Sequence, residues 1–258
     1  MAKRIRIKKK HYGWIFLLLL TLITIVTFKG YDWWNGRRAR FVRYPAFGIS
    51  IPESFSIHGI DVSKYQQTIA WDAVKEMKVK NIQLGFTFIK ATEGIGNTDE
   101  QFYRNWKKSK QSGMIRGAYH YFLATKDGRE QAENFIKTVD LKSGDLPPVV
   151  DIEQSLGVSS AILKKELKEW LDIVENYYKV KPIIYTNVDF YNRYLDTVFD
   201  SYPLWAAHYF QYDAPRIKRN WIFWQHSEEG RVNGILSKVD FNVFNGDSAQ
   251  FKNLLFIK

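Results

Sequence analysis

Hydrophobic positions along this chain follow two patterns, separated by a stretch that follows neither. Residues 12–28 form an uncharged, strongly apolar run, which is near the short end of the length that spans a membrane as a helix. From residue 57 onward, short β-branched and aromatic runs alternate with segments whose apolar residues recur at helical spacing. Residues 29–56 contain Gly, Pro and scattered aromatic residues without either period, which predicts a linker.

The C-terminal part, residues 57–258, is predicted to be an α/β barrel. An alternation of strands and helices favours a mainly parallel sheet, and here the helices fall mostly in the first five of eight units. Thr98 to Gln101 has the spacing of a capping box, and Asp127 to Glu130 resembles a second helix start. The predicted strands are 57–62, 82–91, 115–122, 147–153, 182–186, 204–208, 221–226 and 239–244, and the predicted helices are 71–77, 98–113, 127–139, 161–178 and 188–195.

Charge separates the N-terminal segment from the rest of the chain. The net charge is +11, but residues 1–43 hold 11 Lys and Arg against one acidic residue, Asp32. The remainder holds 27 basic and 26 acidic residues and is nearly neutral. A basic surface expected of a nucleic-acid-binding protein is therefore not predicted. The chain has no cysteine, which excludes disulfides and thiolate metal sites.

The N-terminal segment has the charge order of a membrane anchor. Six Lys and Arg within the first ten residues favour a cytoplasmic N-terminus, so that the chain after the apolar run is exported. No small-residue cleavage site follows the run, which favours an uncleaved signal anchor over a cleaved signal peptide. Trp14 on one side and Trp33 and Trp34 on the other suit the two membrane interfaces. We predict a single-pass protein with an anchor over residues 1–28 and its barrel on the extracytoplasmic side.

Acidic and aromatic residues collect where the predicted strands end. In the stretch PPVVDIEQ, residues 147–154, Val149, Asp151 and Glu153 share one face of a strand because side chains alternate. Chemistry in a β/α barrel gathers at the C-terminal ends of its strands. A carboxyl pair in a cleft rich in Trp and Tyr is typical of glycoside hydrolysis. The strand-end residues are Asp61, Lys90, Glu93, Tyr119, Tyr121, Asp151, Glu153, Tyr185, Trp205, Trp224 and Asp240.

Eight short segments, in order along residues 57–245, resemble the glycoside hydrolase family 25 lysozymes, the Chalaropsis-type muramidases that include phage endolysins. The resemblance implies an irregular TIM-like (β/α)5(β)3 barrel that cleaves the β-1,4 bond between N-acetylmuramic acid and N-acetylglucosamine in peptidoglycan. His226 stands where many members have Tyr, and Tyr65 where Trp is common. The segments are HGIDVSKYQ (58–66), FIKATEG (88–94), IRGAYHYF (115–122), PVVDIE (148–153), IIYT (183–186), LWAAHY (204–209), FWQHS (223–227) and VDFNVF (239–244).

The same resemblance assigns roles to the acids. It makes Glu153 the general acid and Asp151, Asp61 and Asp240 the other active-site carboxyl groups. A partly desolvated Glu153 beside an ionised Asp151 is expected to have a raised pKa, as a proton donor near neutral pH requires. Lys90, Glu93 and the aromatic residues are predicted to bind substrate, since aromatic faces stack on sugar rings; these residues are Tyr119, Tyr121, Tyr185, Trp205 and Trp224.

The step after protonation has two alternatives. Either an enzyme carboxylate attacks the anomeric carbon, or the substrate's own 2-acetamido oxygen does so, with Asp151 stabilising the cation. Asp151 and Glu153 lie on one side of the scissile bond, which makes Asp151 an awkward nucleophile and favours substrate assistance with retention. A nucleophile from the enzyme would have to be Asp61 or Asp240 across the cleft.

Two other functions compete with a muramidase. A chitin-type, substrate-assisted hexosaminidase would show a further acid two residues before Asp151, where this chain has Val149. A non-catalytic wall-binding module would not need the four acids. We predict a monomer that binds peptidoglycan glycan strands and the membrane, with no nucleic-acid partner. No His, Asp and Glu set has metal-ligand spacing, and we predict neither a metal nor an organic cofactor.

Overall fold

The computed structural model describes residues 12–36, 41–211 and 214–258, which fall into two units, 1–39 and 40–258. The first unit contains helix α1, Tyr12–Gly36. Gly13–Tyr31, with a mean hydropathy of 1.9, is the one span of the described residues that is long and apolar enough to cross a membrane. Three threonine hydroxyls in this helix donate to carbonyl oxygens one turn earlier, which satisfies their polar groups within the apolar run. The predicted basic segment before it, residues 1–11, lies outside the described residues.

The second unit contains the strands and the remaining helices. Its last predicted helix begins as a short α-helical turn and continues as a π-helical turn, Tyr191–Leu195. The strands are β1 Phe41–Tyr44, β2 Ile49–Pro52, β3 His58–Val62, β4 Lys78–Val79, β5 Ile82–Glu93, β6 Asn97–Thr98, β7 Ile115–Tyr121, β8 Val149–Asp151, β9 Ile183–Asn187, β10 Leu204–Ala207, β11 Phe223–Gly230 and β12 Val239–Phe244, and the helices are α2 Trp71–Glu76, α3 Phe102–Gln111, α4 Gly128–Thr138, α5 Ser160–Tyr178, α6 Val188–Phe190 and α7 Ser248–Leu254.

Eight of these strands close into a barrel. Their order is β3, β5, β7, β8, β9, β10, β11 and β12, and β12 pairs back onto β3. All neighbours are parallel except β12, which is antiparallel to both β11 and β3. Helices α2 to α6 follow the first five strands in turn, whereas the last three strands are joined by loops. The predicted fold of five β/α units followed by three strands is confirmed.

The strands are apolar on both faces because each face is buried. One face fills the barrel interior, where the ring of Phe88 stacks on Trp205 with centroids 4.4 Å apart and Phe223 lies against Phe88. The other face packs against the outer helices; Val150 on β8 and Trp170 on α5 belong to this layer and are fully buried. An interior filled by aromatic rings leaves space for a ligand only above it, at the rim.

The predicted linker is wrong over residues 41–52, which form an antiparallel hairpin of β1 and β2. Phe47, Ile49 and Ile51 of the hairpin are buried, and the Phe47 ring lies 5.3 Å from that of Phe241 on β12. The hairpin was missed because each strand has only four residues and the turn between them, with its Pro and Gly, interrupts the alternation.

The predicted capping box at Thr98 is also wrong. Thr98 belongs to β6, which pairs with β5, and α3 begins four residues later at Phe102. The Asp99 carboxylate instead accepts hydrogen bonds from the backbone N–H groups of Gln101 and Lys64. The predicted start at Asp127 is confirmed, since its carboxylate accepts from the Glu130 N–H at 3.0 Å.

Candidate active site

The four predicted acids line one cavity of about 320 Å³ at the rim of the barrel. Asp61 and Asp151 stand at or near the C-terminal ends of β3 and β8, and Glu153 lies two residues beyond β8. Asp240 is close to the start of β12, yet this strand runs antiparallel to its neighbours, so its start lies at the same rim. The sequence prediction that these carboxyl groups gather at one end of the barrel agrees with this placement.

Asp61 and Asp240 form a directly opposed pair on β3 and β12. One carboxylate oxygen of Asp61, Oδ2, accepts hydrogen bonds from Gln225 Nε2 at 2.8 Å and Asn242 Nδ2 at 2.7 Å. Burial raises the pKa of both acids, and the amide hydrogen bonds lower that of Asp61. The charge of Asp61 and the hydrogen bond between the two carboxyl groups raise the pKa of Asp240 further, to about 9, so Asp240 is protonated at neutral pH.

Asp151 and Glu153 form the second pair. The strand end is fixed by the Phe122 N–H, which donates to the Asp151 carbonyl at 2.8 Å, and by the Ile152 N–H, which donates to the Tyr185 carbonyl at 3.0 Å. Burial is the largest cause that raises the pKa of both acids. The charge of Glu153 raises the pKa of Asp151 further, so the two acids share one proton in the resting pair.

The raised pKa expected for Glu153 is confirmed in direction, and burial, one of its two expected causes, is the largest. The other expected cause is wrong, because the charge that raises the pKa of Glu153 is that of Asp61, and the hydrogen bond with Asp151 lowers it. Asp151 is itself the more deeply buried acid of the pair. Two carboxyl groups that share one proton can pass it through their hydrogen bond, so either group can present it to a substrate.

Lys90 on β5 is the cationic residue of the cavity wall. Its Nζ lies 2.6 Å from Glu93 Oε2 and 4.7 Å from the centre of the Tyr121 ring. Its side chain is only 15% exposed, so its charge is weakly screened. That charge lowers the pKa of both Asp151 and Glu153 and thus opposes the effect of burial.

Replacement of Lys90 by methionine is expected to move the alkaline limb of the pH–activity profile upward. Loss of the positive charge raises the pKa of Glu153, so the acid stays protonated to a higher pH. The measurement is the pH at which kcat/KM for peptidoglycan falls to half on the alkaline side. Lys165→Met, at a side chain that is 73% exposed, is the matched control and should leave the limb in place. A limb that stays put or moves down in Lys90→Met would contradict this electrostatic role.

Most predicted substrate-binding residues line the cavity: Lys90, Tyr119, Tyr121, Tyr185 and Trp205. The Tyr185 hydroxyl donates to Gln225 Oε1 at 2.8 Å, and Trp205 Nε1 donates to Asn242 Oδ1 at 2.8 Å. Trp205 is almost fully buried, so it forms the floor of the cavity rather than an exposed platform.

Trp224 and Glu93 do not line the cavity. Side chains alternate along β11, so Phe223 and Gln225 point inward and Trp224 points to the outer face. There Trp224 is fully buried, and its Nε1 donates to the His208 carbonyl at 2.9 Å. The prediction that Trp224 binds a sugar is wrong for this reason. Glu93 lies outside the cavity wall, and its carboxylate accepts a hydrogen bond from Lys90 Nζ.

The sequence prediction missed several residues that line the cavity or hydrogen-bond to the acids in its wall. Asn242 could have been found, because it lies two residues after Asp240 and therefore on the same face of β12. Gln225 lies in the predicted strand 221–226 but was assigned no role, although it donates to Asp61 and accepts from two tyrosines. The remaining additions to the wall are Ser63, Tyr65, Gln66, Tyr209 and Glu228. Within the described ranges, no cluster of His, Asp and Glu has the arrangement of a metal site.

This site defines a class of protein, a β/α-barrel glycosidase with two carboxyl pairs. The family model described as Glycosyl hydrolases family 25 matches residues 60–235. Lysozyme M1 of Streptomyces globisporus is 32% identical over 214 residues, which cover 77% of this chain and 71% of that protein. The uncharacterized protein YegX of Escherichia coli K12 is 47% identical over 201 residues, 78% of this chain and 74% of that protein.

A solved structure agrees with the sequence relatives. A family 25 glycosyl hydrolase from Bacillus anthracis superposes with a TM-score of 0.73 at 29% identity, covering 82% of this chain and 99% of that one. The chain belongs to glycosyl hydrolase family 25. It is accordingly a glycoside hydrolase with lysozymes among its relatives.

Proposed function

We propose that this enzyme is an exported, membrane-anchored lysozyme that cleaves the β-1,4 bond between N-acetylmuramic acid and N-acetylglucosamine in peptidoglycan. The observation that carries the proposal is that the two carboxyl pairs line one cavity whose wall also holds several tyrosines, a tryptophan and amide side chains. The names of two relatives, Lysozyme M1 and the autolytic lysozyme of Clostridium acetobutylicum, support the same substrate. Helix α1 supports the anchor.

Glu153 is the general acid of the proposed reaction. It lies beyond the end of β8, and its side chain is less buried than that of Asp151, so it can reach a glycosidic oxygen in the cavity. The Asp151–Glu153 pair supplies the proton, the bond between the anomeric carbon and that oxygen breaks, and the leaving sugar departs with a free hydroxyl group. The pair is then ready to accept a proton from the water that completes hydrolysis.

The anomeric carbon is attacked by the substrate's own acetamido oxygen. Asp61 is a poor nucleophile because its Oδ2 already accepts hydrogen bonds from Gln225 and Asn242. Asp240 is a poor nucleophile because it holds a proton, which its raised pKa maintains. Once the pair has given its proton to the leaving oxygen, the Asp151 carboxylate stabilises the oxazolinium ion. Water then opens that ring, and the configuration at the anomeric carbon is retained.

The test is the identity of the sugar at the new reducing end. The full chain in detergent micelles digests purified peptidoglycan, and the products are reduced with borohydride and sequenced by mass spectrometry. Reduced muramic acid at the new ends is the expected result. Reduced glucosamine at every new end would exclude a muramidase and favour a hexosaminidase. Binding without any release of fragments would favour the non-catalytic wall-binding alternative.

A further inference from the structure

A second cavity, of about 380 Å³, lies between the β1–β2 hairpin and the rim of the barrel. We call it the hairpin cavity; the hairpin supplies Phe41, Arg43 and Ile49 to its wall, and the barrel supplies His226 and Phe210. Residues 41–52 precede the segment that the family model matches, which begins at residue 60. The cavity therefore depends on a structural element that lies outside the matched part of the barrel.

The hairpin cavity adjoins the active site. Tyr209 and Glu228 line both cavities, so these two side chains are a common wall. Tyr209 is fixed there because its hydroxyl donates to Gln225 Oε1 at 2.5 Å, the same oxygen that accepts from Tyr185. A substrate bound at the catalytic acids can thus extend a side branch past this wall into the hairpin cavity.

Phe210 has the features of a ligand contact. Its side chain is 90% exposed, and its φ of 56° lies in the left-handed region, which a bulky residue adopts at a cost of about 1 kcal/mol or more. A ring that is 90% exposed contributes little to the core, and a ligand in the cavity that covers it buries apolar surface.

Charges at the two sides of the hairpin cavity are unpaired. Among the described residues, neither Arg43 nor Glu228 forms an ion pair. Buried polar atoms in the wall are also without partners in the described part of the chain, namely both ring nitrogens of His226 and Oε1 of Gln211. A cation and an anion without an ion-pair partner among the described residues, together with these hydrogen-bonding atoms, suit a ligand that carries charges of both signs.

We infer that the hairpin cavity binds the peptide stem of the peptidoglycan substrate, an inference that rests on the proposed function. The N-acetylated sugars of the glycan are uncharged once the lactyl group is joined to peptide, so the stem carries the carboxylates and the amine of the polymer. Arg43 binds a stem carboxylate, Glu228 faces its amine, and Phe41, Ile49 and Phe210 contact its methyl groups. The hairpin thereby makes the enzyme selective for peptide-bearing strands.

The test compares glycan strands of matched length that carry their stems with strands from which an amidase has removed them. We expect the full chain in micelles to cleave stem-bearing strands with a kcat/KM about tenfold higher, through a lower KM. Arg43→Ala and Phe210→Ala should each remove most of this preference and leave kcat/KM on stripped strands within about twofold. Arg129→Ala, at a side chain 60% exposed on α4, is the control and should keep the preference.

The other outcomes overturn the inference in distinguishable ways. Equal cleavage of both strands by the wild type, or a loss of equal size on both strands in the two variants, excludes stem binding while the proposed function stands. Cleavage of neither strand by the wild type means that the proposed function itself fails, and stem binding falls with it. Both variants should have the same thermal unfolding temperature as the wild type, which shows that the comparison is made on folded protein.

Discussion

Replacement of Glu153 by glutamine should lower kcat for peptidoglycan about 10³-fold, the usual contribution of a positioned general acid. Glutamine has nearly the same shape and can hydrogen-bond to the glycosidic oxygen, but it has no acidic proton to transfer. Binding of the polymer should therefore persist while release of reducing ends is lost. A variant that keeps more than a tenth of the wild-type kcat would contradict the role, and Asp151 would become the candidate acid.

A substrate with a good leaving group separates the acid from its neighbour. An aryl glycoside of the substrate sugar needs little protonation when its bond breaks, so Glu153→Gln should cleave it at a rate much closer to the wild type. Asp151→Asn should not be rescued in this way, because the cation that Asp151 stabilises forms with either leaving group. Equal rescue of both variants would show that Asp151 acts only as a proton carrier to Glu153.

The strand-end rule predicted the acids because it depends only on topology. Once the parallel strands close into a barrel, Asp61 and Asp151 meet at one rim whatever the details of packing. Asp240 joins them for a different reason, because β12 is antiparallel and begins at that rim. The prediction that Trp224 binds a sugar failed because the same rule was applied without the alternation of side chains along β11, which turns this residue to the outer face. Applied consistently, alternation excludes Trp224 and adds Asn242.

Other parts of the site depend on packing that no local pattern carries. The hairpin of β1 and β2 is stabilised by contacts such as that of Phe47 with Phe241, nearly two hundred positions along the chain. The pKa of Asp61 depends on amide donors from two other strands, Gln225 and Asn242, and that of Glu153 depends on the charge of Asp61, which a pattern along one strand does not contain. Regular alternation predicts which face a residue occupies, but not which partner it meets there.

Gln225 shows most clearly that residues of the site depend on partners that are distant in the sequence. Its amide joins three residues that lie 164, 40 and 16 positions away: Nε2 donates to Asp61, and Oε1 accepts from Tyr185 and Tyr209. It is almost fully buried, so water cannot replace these hydrogen bonds. The residue therefore positions the Asp61 carboxyl group and two tyrosines of the cavity wall at once.

Replacement of Gln225 by leucine should lower the free energy of unfolding by about 3 kcal/mol, because it leaves a buried carboxylate with one donor fewer and two buried hydroxyls without their acceptor. Activity on peptidoglycan should fall about 10²-fold in protein that is still folded, since the Asp61–Asp240 pair loses its fixed position. Denaturant unfolding and kcat/KM, measured below the new transition, check the two effects separately.

Tyr209→Phe is the matched control: it removes one donor and leaves no polar atom unpaired, so it should cost less than about 1 kcal/mol. A stable Gln225→Leu variant with wild-type activity would show that Asn242 alone positions Asp61.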